Sequence, residues 1–411
     1  MTDAEILKPL AARLLELAGR AEEGEKKELW ARHNALLPTG KMPVCVTFEG
    51  IPGRQWELML GAGFVRCEGA LARSVESDLR RRIWAAENIG DDHIVWPAVF
   101  VGGASSGGRD WGVELEWAGS GEELGARRVV APFEDGIDLS KLRRPQTAVD
   151  ERATALRLEE AAELTGGMLA VAPGYPGLGE SPFETAVRMR GMERIFFDVY
   201  DAPELLHGMM ELITEAIVAD HRRRGERGWV NCAIDESGRY QMLSRWRHLC
   251  AFAPPEEKRG AIAAEWPYVS AQSASGLGPE MYGEFVHRYN SRIAKLFTQG
   301  NVYYHGCECL DAKLGVIGTL PNLRRHHVSP WSSVEKAAAH YAGRVVLEVH
   351  SHPGEVFFGW TKTEMRAELK RLVAEASGHP MSLNLSDIHS VNGEPATLER
   401  WASIAQEVSR A

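Results

Sequence analysis

Apolar positions along the chain follow two alternating patterns. Short apolar blocks rich in Val, Ile, Leu and aromatic residues are typical of buried strands, and the longer stretches between them carry apolar residues at helical spacing. The clearest helical stretch runs from residue 182 to 224 and contains a core-facing stripe, Leu206, Met210, Ile213 and Ile217. Strands that alternate with helices predict an α/β protein.

Eight apolar blocks qualify as strands, at residues 43–48, 93–100, 168–173, 229–234, 260–269, 301–304, 345–350 and 381–386. Helical patterns separate most of them, as in the parallel sheet of a (β/α)8 TIM barrel. We therefore predict one barrel over residues 41–411. A period-2 run, a Gly-Ser-Gly turn and a second apolar run predict a β-hairpin inserted at about residues 109–132.

The first 40 residues have a separate pattern. Ile6, Leu10, Leu14 and Leu17 fall at helical spacing in a polar, Glu-rich stretch that ends near Pro38 and Gly40. This pattern predicts an N-terminal helical extension over residues 1–40 that covers the barrel.

Composition narrows the class of protein. The net charge of −10 and the pI near 5.8 argue against a nucleic-acid partner, which favours a basic surface. The sequence has no apolar run long enough for a membrane span and no signal-peptide layout at its start, so we expect a cytoplasmic protein without a membrane partner. Six cysteines without regular spacing are then expected to be reduced thiols.

The most informative motif is His305-Gly306-Cys307, which follows the apolar run Val302-Tyr303-Tyr304. Imidazole and thiolate are preferred zinc ligands, and the carboxyl ends of barrel strands are where active sites are built. We therefore predict a zinc site that contains His305 and Cys307. The alternative is two ordinary half-buried cysteines, Cys307 and Cys309, beside a hydrogen-bonded histidine.

Other polar residues also follow predicted strands. All β-α loops of a barrel open on one face, so these side chains are expected to converge with His305 and Cys307; they are Glu49, Gln272, His350, Asp387 and His389. Glu49 could equally be a ligand or base, or cap the next helix. We interpret His326 and His327 as part of an edge strand after an exposed basic turn, outside this group.

Several other chemistries find no support in the sequence. It contains no H-E-x-x-H zinc motif. Residues 103–107 match G-x-S-x-G, but no helical pattern directly follows the glycine cluster at residues 102–108, so this cluster is neither a nucleophile elbow nor a phosphate loop. Cys307 could instead be a nucleophile paired with His305. Their spacing favours two side chains that point at a common third atom.

The chain resembles the uroporphyrinogen decarboxylase superfamily over essentially its whole length. The resemblance rests on the blocks at residues 137–142, 182–193 and 279–286 and on His305-Gly306-Cys307 at the sixth predicted strand. It implies a (β/α)8 barrel. The closest branch is that of corrinoid-dependent methyltransferases, which hold zinc with a His-x-Cys pair and a later cysteine. Because that later cysteine is missing here, the resemblance implies that Asp387, His389 or His350 replaces it.

The resemblance also implies a function. We expect a zinc-dependent methyltransferase that moves a methyl group from a small donor, such as an aryl methyl ether or methylamine, to corrinoid (cobalamin) on a separate protein. No D-x-H-x-x-G corrinoid signature is present in the chain. Glu49, Gln272, His350 and His389 are the candidate catalytic residues. We expect Trp266, Tyr268 and Gln272 to line the substrate pocket. We expect the metal to be bound by His305, Cys307 and Asp387. The resemblance also implies a homodimer.

Two alternatives remain. The other branch of the superfamily consists of metal-free decarboxylases of tetrapyrroles or similar polycarboxylates, which carry an arginine-rich block near the first strand. This chain has Val46-Thr47-Phe48-Glu49 there instead. The third possibility is a barrel that only binds or carries a corrinoid. It predicts no metal and no role for Cys307.

Overall fold

The computed structural model describes residues 1–48, 50–106, 110–119, 121, 127–243, 249–258 and 262–410. Fourteen α-helices are found in these ranges: α1 (Asp3–Ala18), α2 (Ala21–Asn34), α3 (Gly53–Leu60), α4 (Ala70–Asn88), α5 (Glu151–Leu164), α6 (Pro182–Arg190), α7 (Met192–Asp201), α8 (Pro203–Arg227), α9 (Pro279–Tyr282), α10 (Arg288–Ala294), α11 (Leu314–Ile317), α12 (Val334–Tyr341), α13 (Lys362–Ala376) and α14 (Ala396–Val408). Single π-helical segments occupy Gly283–His287 and Glu355–Gly359.

The same ranges contain fifteen strands: β1 (Val44–Val46), β2 (Ala98–Gly102), β3 (Ser105–Ser106), β4 (Glu116–Gly119), β5 (Arg127–Val130), β6 (Ala148–Val149), β7 (Ala170–Gly174), β8 (Cys232–Ile234), β9 (Tyr240–Leu243), β10 (Ala251–Phe252), β11 (Tyr268–Ser270), β12 (Val302–His305), β13 (Leu323–Val328), β14 (Val346–His350) and β15 (Met381–Leu385).

A parallel sheet of six strands is the centre of the fold. Its order is β1-β15-β14-β13-β12-β11, and β2 and β7 form a separate parallel pair. The two sheets together supply eight parallel strands, the number that a (β/α)8 barrel requires. Among the described residues, however, ladder hydrogen bonds do not join the pair to the six-stranded sheet. The protein is thus α/β with a parallel central sheet.

Two of the strand predictions are wrong in their details. The block at 229–234 does form β8, but β8 pairs antiparallel with β9 in a small sheet outside the parallel ones. Conversely, β13 is not an edge strand, because it lies between β12 and β14. Arg324-Arg325 suggested a solvent-exposed turn before this strand, yet both residues belong to β13 and Arg325 is fully buried. The antiparallel pair β4 and β5 lies inside the segment for which we predicted a hairpin.

The amino-terminal helices pack closely against the sheets. Helix α1, capped by the Thr2 side chain, packs through Leu7 and Leu14 against α4. Helix α2 reaches the beginnings of the strands, where Asn34 accepts a hydrogen bond from Arg325 and His33 bonds the carbonyl of Met381. Its Trp30 lies in the same apolar cluster as Tyr303. Helix α2 therefore covers the amino-terminal end of the sheet interior.

The longest helix shows how the apolar pattern sets the core. Helix α8 begins with a proline at its first turn. It is followed by Gly228, whose φ of 70° lies in the left-handed region that glycine adopts without strain. All four residues of the predicted stripe are fully buried in the largest core cluster. No described helix is both long enough and apolar enough to cross a lipid bilayer.

Candidate metal and catalytic site

Histidine side chains gather near the carboxyl ends of three neighbouring strands. His305 ends β12, His350 ends β14, and His327 is the next-to-last residue of β13 between them. Side chains along a strand alternate between the two faces of a sheet. The register that pairs Tyr304 with His326 therefore puts His327 on the same face as His305. Their ring centroids are 4.1 Å apart, and those of His327 and His350 are 4.0 Å apart.

Two of these histidines and a nearby cysteine have ligand atoms close enough to share one metal ion. His305, Cys307 and His327, which we call the strand-end cluster, each offer an atom within 4.8 Å of the others. The His305 Nε2 to Cys307 Sγ distance is 3.1 Å. The expected pair thus has a third partner. The sequence prediction did not include His327 in the site. Its position one residue before the end of β13 was the signal that could have placed it there.

A buried ion pair lies beneath the cluster. Arg325 Nε donates to Glu348 Oε2 over 2.5 Å, and Arg325 also donates to Ser382 and Asn34. A guanidinium remains charged in proteins, so the Arg325 contact favours the ionised carboxylate of Glu348. An ionised Glu348 can only accept hydrogen bonds. Its other oxygen, Oε1, accepts from Tyr303 and His350.

Tyr303 connects this carboxylate to the histidines. Its hydroxyl donates to Glu348 Oε1 over 2.6 Å. A hydroxyl has one proton, so it must accept from the Nδ1 atoms of His305 and His327, at 3.0 and 3.3 Å. Both rings then carry their proton on Nδ1. Nε2 is then the basic nitrogen of each ring, and the Nε2 atom of His305 lies 3.1 Å from Cys307 Sγ. Outer hydrogen bonds commonly fix the tautomer of histidine ligands in this way.

Electrostatics favour the neutral form of the central histidine. Burial lowers the pKa of His327 far below its ordinary value, and the neighbouring His350 and His305 lower it further, whereas Glu348 opposes them. Burial, followed by the charge of Glu348, raises the pKa of the Tyr303 hydroxyl. His327 is thus a neutral imidazole, and Tyr303 keeps its proton. These are the protonation states that the hydrogen bonds require.

A second hydrogen-bonded chain leads away from Glu348 toward solvent. His350 Nε2 donates to Glu348 Oε1 over 3.0 Å, and His350 Nδ1 is 2.8 Å from Ser386 Oγ. Ser386 Oγ is in turn 3.4 Å from Asp387 Oδ2. Asp387 has a φ of 53°, a left-handed conformation uncommon for a residue with a side chain, and this turns the backbone sharply just after β15. The exposed Asp387 is thus connected to the buried network.

A cavity of about 480 Å³ opens on the strand-end cluster. Cys307 and His327 form part of its wall, with His350 and Asp387 beside them. The Asp387 Oδ2 atom is 4.0 Å from Cys307 Sγ. Apolar walls are supplied by Trp331, Phe357 and Phe358. The arrangement suits a metal ion with three protein ligands and an open coordination position that faces a small ligand.

The remaining predicted residues have different surroundings. His389 lines the cavity, and Glu49 lies outside the described residues. The Tyr268 ring lies 4.7 Å from the His305 ring, and Gln272 Nε2 donates to the Tyr268 hydroxyl over 3.4 Å. Trp266 is buried in a neighbouring apolar cluster. These last three side chains are not among the described residues that line the cavity.

Comparisons with known proteins give a fold and little more. The chain matches no protein-family model and no curated protein sequence. Among solved structures it resembles a methyltransferase from Methanosarcina mazei, with a TM-score of 0.54 over 93% of this chain and 97% of that one. The two sequences are 15% identical. At this identity the likeness shows a shared α/β fold.

Proposed function

We propose that this protein is a zinc-dependent methyltransferase that transfers a methyl group from a small methylated compound to corrinoid bound on a separate protein. The observation that carries the proposal is the convergence of His305, Cys307 and His327 within reach of one ion, beside a cavity that Cys307 and His327 line. The fold shared with a methyltransferase is consistent with it. The proposal includes closure of the eight parallel strands into a barrel.

The donor set fits zinc. Two neutral imidazoles and one thiolate are common zinc ligands, and Cys307 would release its thiol proton to solvent on binding. Three protein ligands leave the open position found in catalytic sites. Asp387, at 4.0 Å from the sulfur, is near enough to become a fourth ligand after a small rotation. Zinc bound here would supply Lewis acidity to the oxygen or nitrogen atom that carries the methyl group.

The residues of the chain have three roles in this proposal. Trp331, Phe357 and Phe358 bind the apolar part of the donor and exclude water from it. Tyr303 and Glu348 hold the Nε2 atoms of His305 and His327 in position. The heteroatom that loses its methyl group needs a proton, and Ser386 Oγ can relay one between His350 Nδ1 and Asp387 Oδ2.

The decarboxylase alternative fits less well. A polycarboxylate substrate requires cationic partners, and the described residues that line the cavity include no arginine or lysine. The nearest guanidinium of the network, Arg325, is fully buried and already bonded to Glu348.

The test measures zinc and methyl transfer in the same variants. Zinc per chain is measured by plasma mass spectrometry for the wild type, His305→Ala, Cys307→Ala and His327→Ala, with Cys309→Ala as the matched control because Cys309 is exposed and outside the cluster. Formation of methylcobalamin from cob(I)alamin is followed with a panel of methylated ethers and amines. We expect each cluster variant to lose one zinc and its methyl transfer, and the control to keep both. Full zinc content in all three variants, or no methyl transfer by the wild type, would contradict the proposal.

A further inference from the structure

A second group of metal-ligand side chains lies at the seam between the two parallel sheets. Strand β1 is the edge of the six-stranded sheet, and β2 belongs to the separate pair. The segment just before β2 satisfies this edge with side chains: Asp92 accepts from the Val44 N–H over 2.9 Å, and Asp91 accepts from the Val46 N–H over 2.7 Å. The seam is thus joined by these two carboxylates and by one backbone hydrogen bond, from the Asp92 N–H to the Val44 carbonyl over 2.8 Å.

Between these contacts lie Cys45, Asp91 and His93, which we call the seam cluster. Their ligand atoms are all within 4.8 Å of one another, and Cys45 Sγ is 3.8 Å from His93 Nδ1. In a tetrahedral zinc site, the usual bond lengths place a sulfur and a nitrogen ligand about 3.6 Å apart. The observed separation is therefore close to that of a bound pair, and the third group supplies an anionic oxygen.

The charges around the sulfur favour a cation. Burial, followed by the charges of Asp91, Glu348 and Asp92, raises the pKa of the Cys45 thiol, and the charge of Arg325 opposes them. Of the nearby lysines, Lys41 is paired with Asp92 at 2.6 Å. Lys26 is likewise paired with Glu23, at 2.8 Å. After these pairings and that of Arg325 with Glu348, Asp91 is the carboxylate near the thiol whose charge no described ion pair offsets.

An ion could reach this cluster from outside. Asp91 and His93 line a cavity of about 1130 Å³ that is separate from the strand-end cavity, since its walls come from α2, α4, α14 and the segments around them. Cys45 is fully buried behind them. Two ligands at the wall and one behind it leave room for water as a fourth ligand.

We infer that Cys45, Asp91 and His93 form a second site for a divalent metal ion with an affinity for sulfur and nitrogen, such as zinc. The ion would connect β1 to the segment that leads into β2 and so stabilise the seam between the sheets. Binding releases the thiol proton of Cys45 to solvent through the cavity. None of the three residues belongs to the strand-end cluster, so this inference does not depend on the proposed function.

The test uses cobalt(II) as the probe on the full chain. Cys307→Ala removes the thiol of the strand-end cluster, and a thiolate-to-cobalt charge-transfer band that remains must come from another cysteine. We expect the band in Cys307→Ala, its loss in Cys307→Ala with Cys45→Ser, and its retention in Cys307→Ala with Cys250→Ser, a buried cysteine outside both clusters. Absence of the band in Cys307→Ala, or its persistence after Cys45→Ser, would overturn the inference.

A second variant guards against misfolding of Cys45→Ser. In the Cys307→Ala background, His93→Gln keeps the thiol and removes one ligand, so cobalt affinity should fall about tenfold or more. The shift in unfolding temperature that zinc produces should fall in parallel. Equal cobalt affinity with and without His93→Gln in folded protein would also refute the site.

Discussion

The strand-end cluster and the seam cluster contain similar ligands in different surroundings. Beneath the strand-end cluster, Tyr303 and Glu348 fix the proton of each imidazole on the atom that faces away from the cluster. The seam cluster has no comparable carboxylate and tyrosine pair among the contacts that the structure describes; Asp91 is instead engaged with backbone N–H groups. Side chains beneath the strand-end cluster hold its ligands in position, whereas hydrogen bonds to the backbone hold Asp91 of the seam cluster.

This difference suggests a difference in purpose. Outer hydrogen bonds that set tautomer and ring orientation increase ligand basicity and are typical of sites whose chemistry depends on precise geometry. Carboxylates that also satisfy a strand edge are typical of structural roles. We therefore expect catalysis at the strand-end cluster and stabilisation at the seam cluster.

The largest expected effect comes from Glu348→Gln. Removal of the charge leaves the Arg325 guanidinium buried without its counter-ion, which should cost about 3–5 kcal/mol of unfolding free energy. Zinc affinity at the strand-end cluster should fall by about 10–100-fold, because Tyr303 loses its strongest acceptor. Urea unfolding and zinc competition titrations measure both. Glu394→Gln, at an exposed position, is the control. Equal changes in unfolding free energy and zinc affinity in the two variants would show that the layer beneath the strand-end cluster does not support it, and the two clusters would then not differ in this way.

A smaller and more selective effect is expected from Tyr303→Phe. Without the hydroxyl, the Nδ1 protons of His305 and His327 lose their common acceptor, and zinc affinity at the strand-end cluster should fall by about tenfold. Tyr304→Phe is a matched control, since Tyr304 is the next residue, is equally buried and bonds Tyr282 instead. Isothermal titration on both variants gives the result. Equal losses of zinc affinity in the two variants would show that the affinity depends on removing a buried tyrosine hydroxyl and not on the tautomer of His305 and His327.

The effect that is smallest at neutral pH concerns His33 and separates the acid sensitivity of the fold from that of the clusters. Burial, then the charge of Arg325, lowers the pKa of His33 to about 3. Between pH 6.5 and about 3 the unfolded chain binds a proton there that the folded chain does not, so His33 makes stability fall as pH falls, by up to about 1.4 kcal/mol per pH unit.

His33→Gln tests this point. Glutamine can still donate to the Met381 carbonyl but does not titrate, so the loss of stability below pH 6.5 should be shallower than in the wild type. Unfolding free energies at pH 8 give the packing cost of the substitution alone. An unchanged acid slope would assign that sensitivity to other groups, including the cluster histidines.

The sequence by itself determined the features that depend on local spacing. The alternation of apolar blocks and helical stretches is sufficient for an α/β fold, and the stripe of α8 is buried as its period requires. His305 and Cys307 are two residues apart at the end of an apolar strand, so their proximity follows from one turn of backbone. Residues this close in the chain need no long-range information.

Only the tertiary structure decided which strands are neighbours and in which register. His327 reaches His305 because β13 pairs with β12, and Arg325 is buried because Glu348 and Ser382, on the next strands, neutralise it and bond it. The local sequence of β13 has two arginines and two histidines and so suggests exposure. Burial of such a strand is favourable only when partners distant in the chain satisfy its charges, and strand pairing, not local pattern, supplies them.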